Sequence, residues 1–265
     1  MGAHVEPLFP ALLSLLSAMW WPFCRVMAML AVAPVIGEST VPITVKVLLA
    51  LVLAVVLMPV AAPAAHIDPF SLRGIVATIE QAVIGGLLGL AFHMSMAAIM
   101  VLGYLVSSQM GLAMAVMNDP LNGASSDVVS TLLSILGILA FFSIDGHLVL
   151  TGVVGSSFQA WPVGGGFAGI TLQTFAYNVA WVFSAAVLLA IPVIFATMVV
   201  QIGFGFLTRV APSLNLFALG FSVITLFGLF MLAQVVRFVP DHYVRLTGRV
   251  LEMLQHMMRA GAAAG

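Results

Sequence analysis

The sequence predicts an all-α integral membrane protein of long, kinked helical hairpins, and three observations carry that expectation. First, 63% of the 265 residues are hydrophobic and only 6% are charged. A water-soluble domain carries roughly 25% charged residues. So little charge cannot cover a surface facing water, and the bilayer must serve as solvent for much of the chain. Second, the apolar residues collect in blocks at roughly 8–36, 43–65, 75–106, 128–154, 171–206 and 214–239. A hydrocarbon core about 30 Å thick needs about 20 helical residues. Third, no block alternates apolar and polar residues in the manner of a membrane β-barrel.

The first block resembles a secretory signal, with the small-x-small run Ala31-Val32-Ala33. No basic residue precedes the apolar stretch, Arg25 interrupts it, and Pro34 follows the would-be cleavage point. It is therefore expected to be a retained segment. Gly37-Glu38-Ser39 and Pro42 mark the next turn, and Asp68-Pro69 the one after the second block. The block at 75–106 would be about 48 Å long as one helix, and that at 171–206 about 54 Å. Tilt alone accommodates such lengths poorly, so each is expected to break or to project beyond the bilayer. Gly85, Gly86 and Gly89 lie in the first of these and Pro192 in the second. Gly85 and Gly89 form a Gly-x-x-x-Gly pair that lets helices approach closely. Asp145-Gly146-His147 reads as an interruption of the fourth block. Trp161-Pro162 and Gly164-Gly165-Gly166 mark the loop that follows it. At the end of the chain, Arg245, Arg249, Glu252, His256 and Arg259 recur at spacings of 4, 3, 4 and 3. Val250, Leu251, Leu254, Met257 and Met258 fill the opposite face of this amphipathic helix.

Several function classes find no support. A net charge of −1 gives no case for nucleic-acid binding. The single Cys24 excludes an intrachain disulfide and the usual cysteine-rich metal sites. No metalloprotease, serine-hydrolase or nucleotide-phosphate motif is present, so no catalytic residue, cofactor or metal is expected. Arg25, Lys46, Glu80, His93, Asp145, His147 and Arg209 lie within or beside the apolar blocks. A proton-coupled transporter of small solutes would use such groups, but these are scattered. Asp145 and His147, two apart, point to different sides of a helix. They are expected to pair structurally, with Arg25 and Arg209 fixing helix packing. The positive charges set topology weakly. The basic tail and Arg73 favour the cytoplasm, and Lys46 and Arg209 oppose a conventional six-span arrangement.

The segment Gln109-Met110-Gly111-Leu112-Ala113-Met114-Ala115-Val116-Met117-Asn118-Asp119-Pro120 is too apolar for a loop in water. It must be buried in protein or line a cavity. Methionine is flexible and polarizable, which suits a deformable seal. Composition alone favours the plainer reading, in which the segment extends the third helix into the core.

The chain resembles the FliR family of flagellar export-gate subunits and their virulence-secretion relatives. The resemblance rests on several stretches. These are Trp21-Pro22-Phe23-Cys24-Arg25 through Ala33-Pro34 to Val41-Pro42; Gln109-Met110-Gly111 through Asp119-Pro120; Gly146-His147-Leu148; Pro162-Val163-Gly164-Gly165; and Arg209-Val210-Ala211-Pro212 through Gly220-Phe221. It implies a FliP-like part at 1–170 fused to a FliQ-like helical hairpin and terminal helix at 171–265. It implies assembly with FliP and FliQ, association with FlhB and FlhA, and passage of unfolded flagellar export substrates. It places the subunit in the bacterial inner membrane, within the flagellar basal body and raised partly toward the periplasm. The loop at about 107–123 is then a channel plug. Gln109 and Asp119 belong to it, Met110, Met114 and Met117 seal it, and Gly111 and Pro120 shape it. Met114 and Met117 stand where relatives can carry large aromatics.

Overall fold

A computed structural model describes residues 8–61, 67–112, 117–118, 125–166, 172–210 and 216–264. The helices are α1 (Leu8–Val32), α2 (Ile43–Leu57), α3 (Leu72–Gln109), α4 (Val128–Ser143), α5 (Gly146–Ala160), α6 (Leu172–Val210), α7 (Leu216–Val236) and α8 (Val239–Ala264). Two strands of two residues, β1 (Met117–Asn118) and β2 (Ser125–Ser126), pair antiparallel with Met117 opposite Ser126. The protein is all-α and membrane-integral. Among the described residues, stretches of α1, α3 and α6 are each long and apolar enough to cross a membrane. The bent pairs α4–α5 and α7–α8 raise the total to as many as five if each pair is one span.

The two overlong blocks do not break. α3 runs for 38 residues and α6 for 39, about 57 and 58 Å at the helical rise. Both exceed the hydrocarbon thickness by far. α6 continues through Pro192, which cannot donate to the carbonyl one turn earlier. The fourth block is interrupted where Asp145 takes a left-handed φ of 52°, ending α4 and starting α5. The expected extension of the third helix is corrected. α3 ends at Gln109, a turn follows at Met110 and Gly111, and the β1–β2 pair lies beyond. Gly111, with φ of 75°, occupies the left-handed region that closes such a helix end.

The helices gather into two packing units. The first comprises residues 1–93, 145–174 and 247–265. Its core contains Trp21, Met29, Ile84, Leu88, Phe158 and Trp161. The apolar face of α8 contributes Val250, Leu254 and Met257 to it, while Arg249, Glu252, His256 and Arg259 remain exposed. The terminal helix thus closes its own bundle. Gly261 sits so close to the Trp161 indole that no side chain fits between them.

The second unit comprises residues 94–144 and 175–246. α6 buries Val182, Ala186, Ala190, Val193 and Thr197, at spacings of 4, 4, 3 and 4. That is one narrow helical face, and its small residues permit close packing. Much of the described remainder of α6 is apolar and exposed, including Phe183, Leu188, Phe195 and Phe206. An apolar surface of this extent requires lipid or partner helices as its surroundings.

Candidate functional site

The first unit is organised around one buried guanidinium. Arg25 is 0% exposed. An arginine in an apolar helix is tolerated only when its donors are met. Its Nε donates to Gln81 Oε1 at 2.8 Å, Nη1 to Ser157 Oγ at 2.9 Å, and Nη2 to the Trp161 carbonyl at 2.8 Å. The Phe158 ring stacks on it, with its centroid 3.9 Å from Cζ. α1, α3 and the end of α5 therefore meet on a single side chain. Gln81 also donates to Glu80 Oε1 at 3.3 Å, and the amides of Gly164 and Gly166 donate to the Glu80 carboxylate. Both glycines have φ of 79°, so the Gly-rich turn has a backbone that other residues adopt poorly.

Close helix approach makes this cluster possible. A Cβ at Gly85 would collide with the Arg25 carbonyl oxygen, and one at Gly89 with that of Met29. The backbones of α3 and α1 thus lie directly against one another. Lys46 does related work at the next turn, where its Nζ donates to the carbonyls of Gly37 at 2.9 Å and Glu38 at 3.1 Å. It satisfies carbonyls of the turn between α1 and α2.

In the second unit, the start of the apolar loop is seated on helices. Met110 is 0% exposed, and its carbonyl accepts from Thr225 Oγ1 at 3.1 Å. Its side chain lies on Gly228, where an added Cβ would strike Met110 Cγ. A Cβ at Gly111 would press on the Phe221 ring, 3.0 Å from Cε2. Gln109 Oε1 lies 3.5 Å from Thr197 Oγ1, a long contact beside the stronger bond from that hydroxyl to the Val193 carbonyl at 2.9 Å.

Asp127 fixes the other end of the loop. It caps α4 by accepting from the Ser130 amide at 2.9 Å and hydroxyl at 2.7 Å, and it also accepts from the Ser107 hydroxyl of α3. Partial burial works against its charge, but the hydrogen bonds from Ser107, Ser130 and Val129 outweigh this and hold its carboxyl below the usual value.

The residues singled out from sequence fall into distinct places. Arg25, Gly85 and Gly89 come together, as do Gln109, Met110 and Gly111. Asp145, His147 and Arg209 are each exposed and join neither group. Met110, expected to seal a pore, is buried against α7. Met117 is described by its backbone in β1. Met114, Asp119 and Pro120 lie outside the described residues. Sequence reasoning missed Gln81, Ser157, Phe158 and Trp161 around Arg25, and Phe221, Thr225 and Gly228 around Met110. Gln81 carried a signal, being a second polar residue beside Glu80 in an apolar run. The spacing of Phe221, Thr225 and Gly228, which puts them on one face of α7, carried another.

The comparisons with known proteins agree over most of the chain. Residues 16–250 match the model for bacterial export proteins, family 1. The chain is 31% identical over 243 residues to the flagellar biosynthetic protein FliR of Pectobacterium carotovorum subsp. carotovorum, covering 91% of this chain and 93% of that protein. It is 28% identical over 248 residues to FliR of Escherichia coli (strain K12), again covering 91% and 93%. The Yop proteins translocation protein T of Yersinia pestis is 29% identical over 164 residues, covering 61% of this chain and 62% of that protein. With its helical membrane architecture and this nearly full-length match, the chain belongs to the FliR family of bacterial export proteins.

Proposed function

We propose that this chain is a non-catalytic structural subunit of the flagellar type III protein-export gate, forming part of the channel wall and its resting plug. The observation that carries this reading is the methionine-bearing segment leaving α3, which holds no basic residue, in a chain similar to FliR over 91% of its length. An apolar segment of this kind has no reason to face bulk water. Between helices it can seal a path and yield to varied substrates, because methionine repacks easily. The exposed apolar faces of α6 and α7 are suited to neighbouring helices, and the partners proposed for them are FliP and FliQ. FlhB and FlhA associate with the same assembly, and its cargo is unfolded flagellar export substrates. The location is the bacterial inner membrane within the basal body, with the long helices raised partly toward the periplasm. In this reading residues 1–170 are the FliP-like part and residues 171–265 the FliQ-like part. The flagellar version is favoured over the virulence one because the flagellar relatives match 91% of the chain and the Yersinia protein 61%.

The test is ion leakage. Met114→Gly and Met117→Gly together should raise the resting ion permeability of cells carrying the assembly, with secretion retained. Unchanged permeability in that double variant removes the sealing role.

A further inference from the structure

We propose that the groove between α1 and the start of α3 holds one acyl chain of a membrane phospholipid whose amine headgroup pairs with Asp68. The groove has a volume of about 740 Å³ and lies within the first unit. Leu13, Leu16 and Trp20 of α1 line one side, and Ile75 and Ile79 of α3 the other. They stand at i, i+3 and i+7 on α1 and at i and i+4 on α3, so each helix turns one stripe to the groove. All five are exposed large apolar residues. The turn that carries Asp68 and leads into α3 completes the lining.

The polar groups of the lining set the chemistry of the occupant. Ser17 donates its hydroxyl to the Ser14 carbonyl at 2.9 Å. Thr78 donates to the Gly74 carbonyl at 2.9 Å and accepts from Trp20 Nε1 at 3.0 Å. With these donors turned onto the protein itself, the walls suit an apolar chain rather than a hydrogen-bonding solute. Among the lining residues Asp68 alone is charged. One of its oxygens accepts from the Phe70 amide at 3.0 Å, and the other has no hydrogen-bond partner among the described residues. A carboxylate so placed attracts an ammonium and repels an anionic headgroup. Size separates an acyl chain from a partner helix. A helix about 10–12 Å across fills roughly 500 Å³ per turn, so this groove would admit only about one and a half turns. From Leu13 to Trp20 it runs about 10 Å along α1, which suits an extended hydrocarbon chain.

The test places the full-length chain in phosphatidylcholine vesicles that contain a small share of phosphatidylethanolamine with a photoreactive acyl chain. Illumination should label the segments 13–20 and 75–79 several-fold more than the exposed face of α6. Phosphatidylglycerol with the same photoreactive chain should label them several-fold less. Asp68→Asn, which keeps an oxygen for the Phe70 amide, should remove the headgroup preference and retain the label. Ser17→Trp, which fills the groove, should abolish the label there and leave that on α6 unchanged. Groove labelling no stronger than on α6 overturns the proposal, because the lipid is then ordinary solvent. Equal labelling by the two headgroups in the wild type overturns it too. So does loss of the groove label in native membranes carrying the chain with its partners, which makes the occupant a partner helix. Should Ser17→Trp not accumulate, the exposed Asp68→Asn change decides by itself: an undiminished preference for the amine refutes the pairing. The label reads lipid occupancy, whatever the chain conducts.

Discussion

Replacing Arg25 with alanine should destabilise the protein by about 3–5 kcal/mol, because it leaves buried acceptors without their charged donor. The magnitude follows from what is left behind. The Trp161 carbonyl and the Gln81 amide oxygen lose their charged donor. Ser157 fares better, since its hydroxyl also donates to the Val154 carbonyl at 2.7 Å. Two stranded groups at about 1–3 kcal/mol each give roughly 2–6 kcal/mol. Loss of the Phe158 stacking adds about 2 kcal/mol in a desolvated site. Relief from burying the guanidinium offsets part of this total. Arg25→Lys should rescue little, because one ammonium cannot serve three acceptors held in a planar fork. Arg25→Met combined with Gln81→Leu should cost less than Arg25→Met alone, because the stranded acceptor is removed with its donor. The assay is denaturant or thermal unfolding of the purified assembly, with the chain's abundance in the membrane followed in parallel. An unchanged midpoint and abundance for Arg25→Ala would refute the assignment of these hydrogen bonds as net stabilising.

Further substitutions probe the helix contacts and the α4 cap. Gly85→Ala should lower assembly stability by about 1–3 kcal/mol through overpacking, since the new methyl meets the Arg25 carbonyl. Gly86→Ala, which meets nothing within 4 Å, should be neutral or gain up to about 1 kcal/mol of helix propensity; equal losses at the two sites in an unfolding titration would contradict the close approach of α1 and α3. Asp127→Ala should cost about 0.5–2 kcal/mol at the α4 cap, whereas Asp127→Asn, which keeps a capping oxygen and loses the charge, should remove a pH dependence. Because the folded carboxyl sits below its usual value, its stabilisation is full above the unfolded pKa and is lost as pH falls through the folded one. Acid unfolding curves for wild type and Asp127→Asn should therefore converge toward low pH, and curves that stay parallel would exclude that coupling.

Much of the scaffold is legible in the sequence because it is written locally. Apolar blocks mark helices, Asp145-Gly146 marks the break between α4 and α5, and the spacing from Arg245 to Arg259 marks the exposed face of α8. Helix continuity is less legible. Pro192 reads as a breaker, yet α6 runs through it, because one missing hydrogen bond is a small loss in a helix of 39 residues. The site contacts are hardest to see, because their partners are distant in sequence. The Gly85 and Gly89 spacing signals close approach, but nothing local says that the neighbour is the backbone of Arg25. The apolar character of Met110 is plain in the sequence, but nothing local says that Gly228 receives its side chain.

The wiring of Arg25 also bears on how the chain is made. Its acceptors lie 56, 132 and 136 residues further along, at Gln81, Ser157 and Trp161. At about 5–20 residues per second, the last is synthesised roughly 7–27 s after Arg25 itself. Throughout that interval the nascent first helix carries a charge that costs about 2.5–3.5 kcal/mol at the centre of a spanning segment. The leucines, valines and phenylalanines of the same helix return about 0.3–0.6 kcal/mol each, which roughly balances that cost. The first helix is therefore only marginally settled at its final depth until α5 emerges and supplies the missing acceptors.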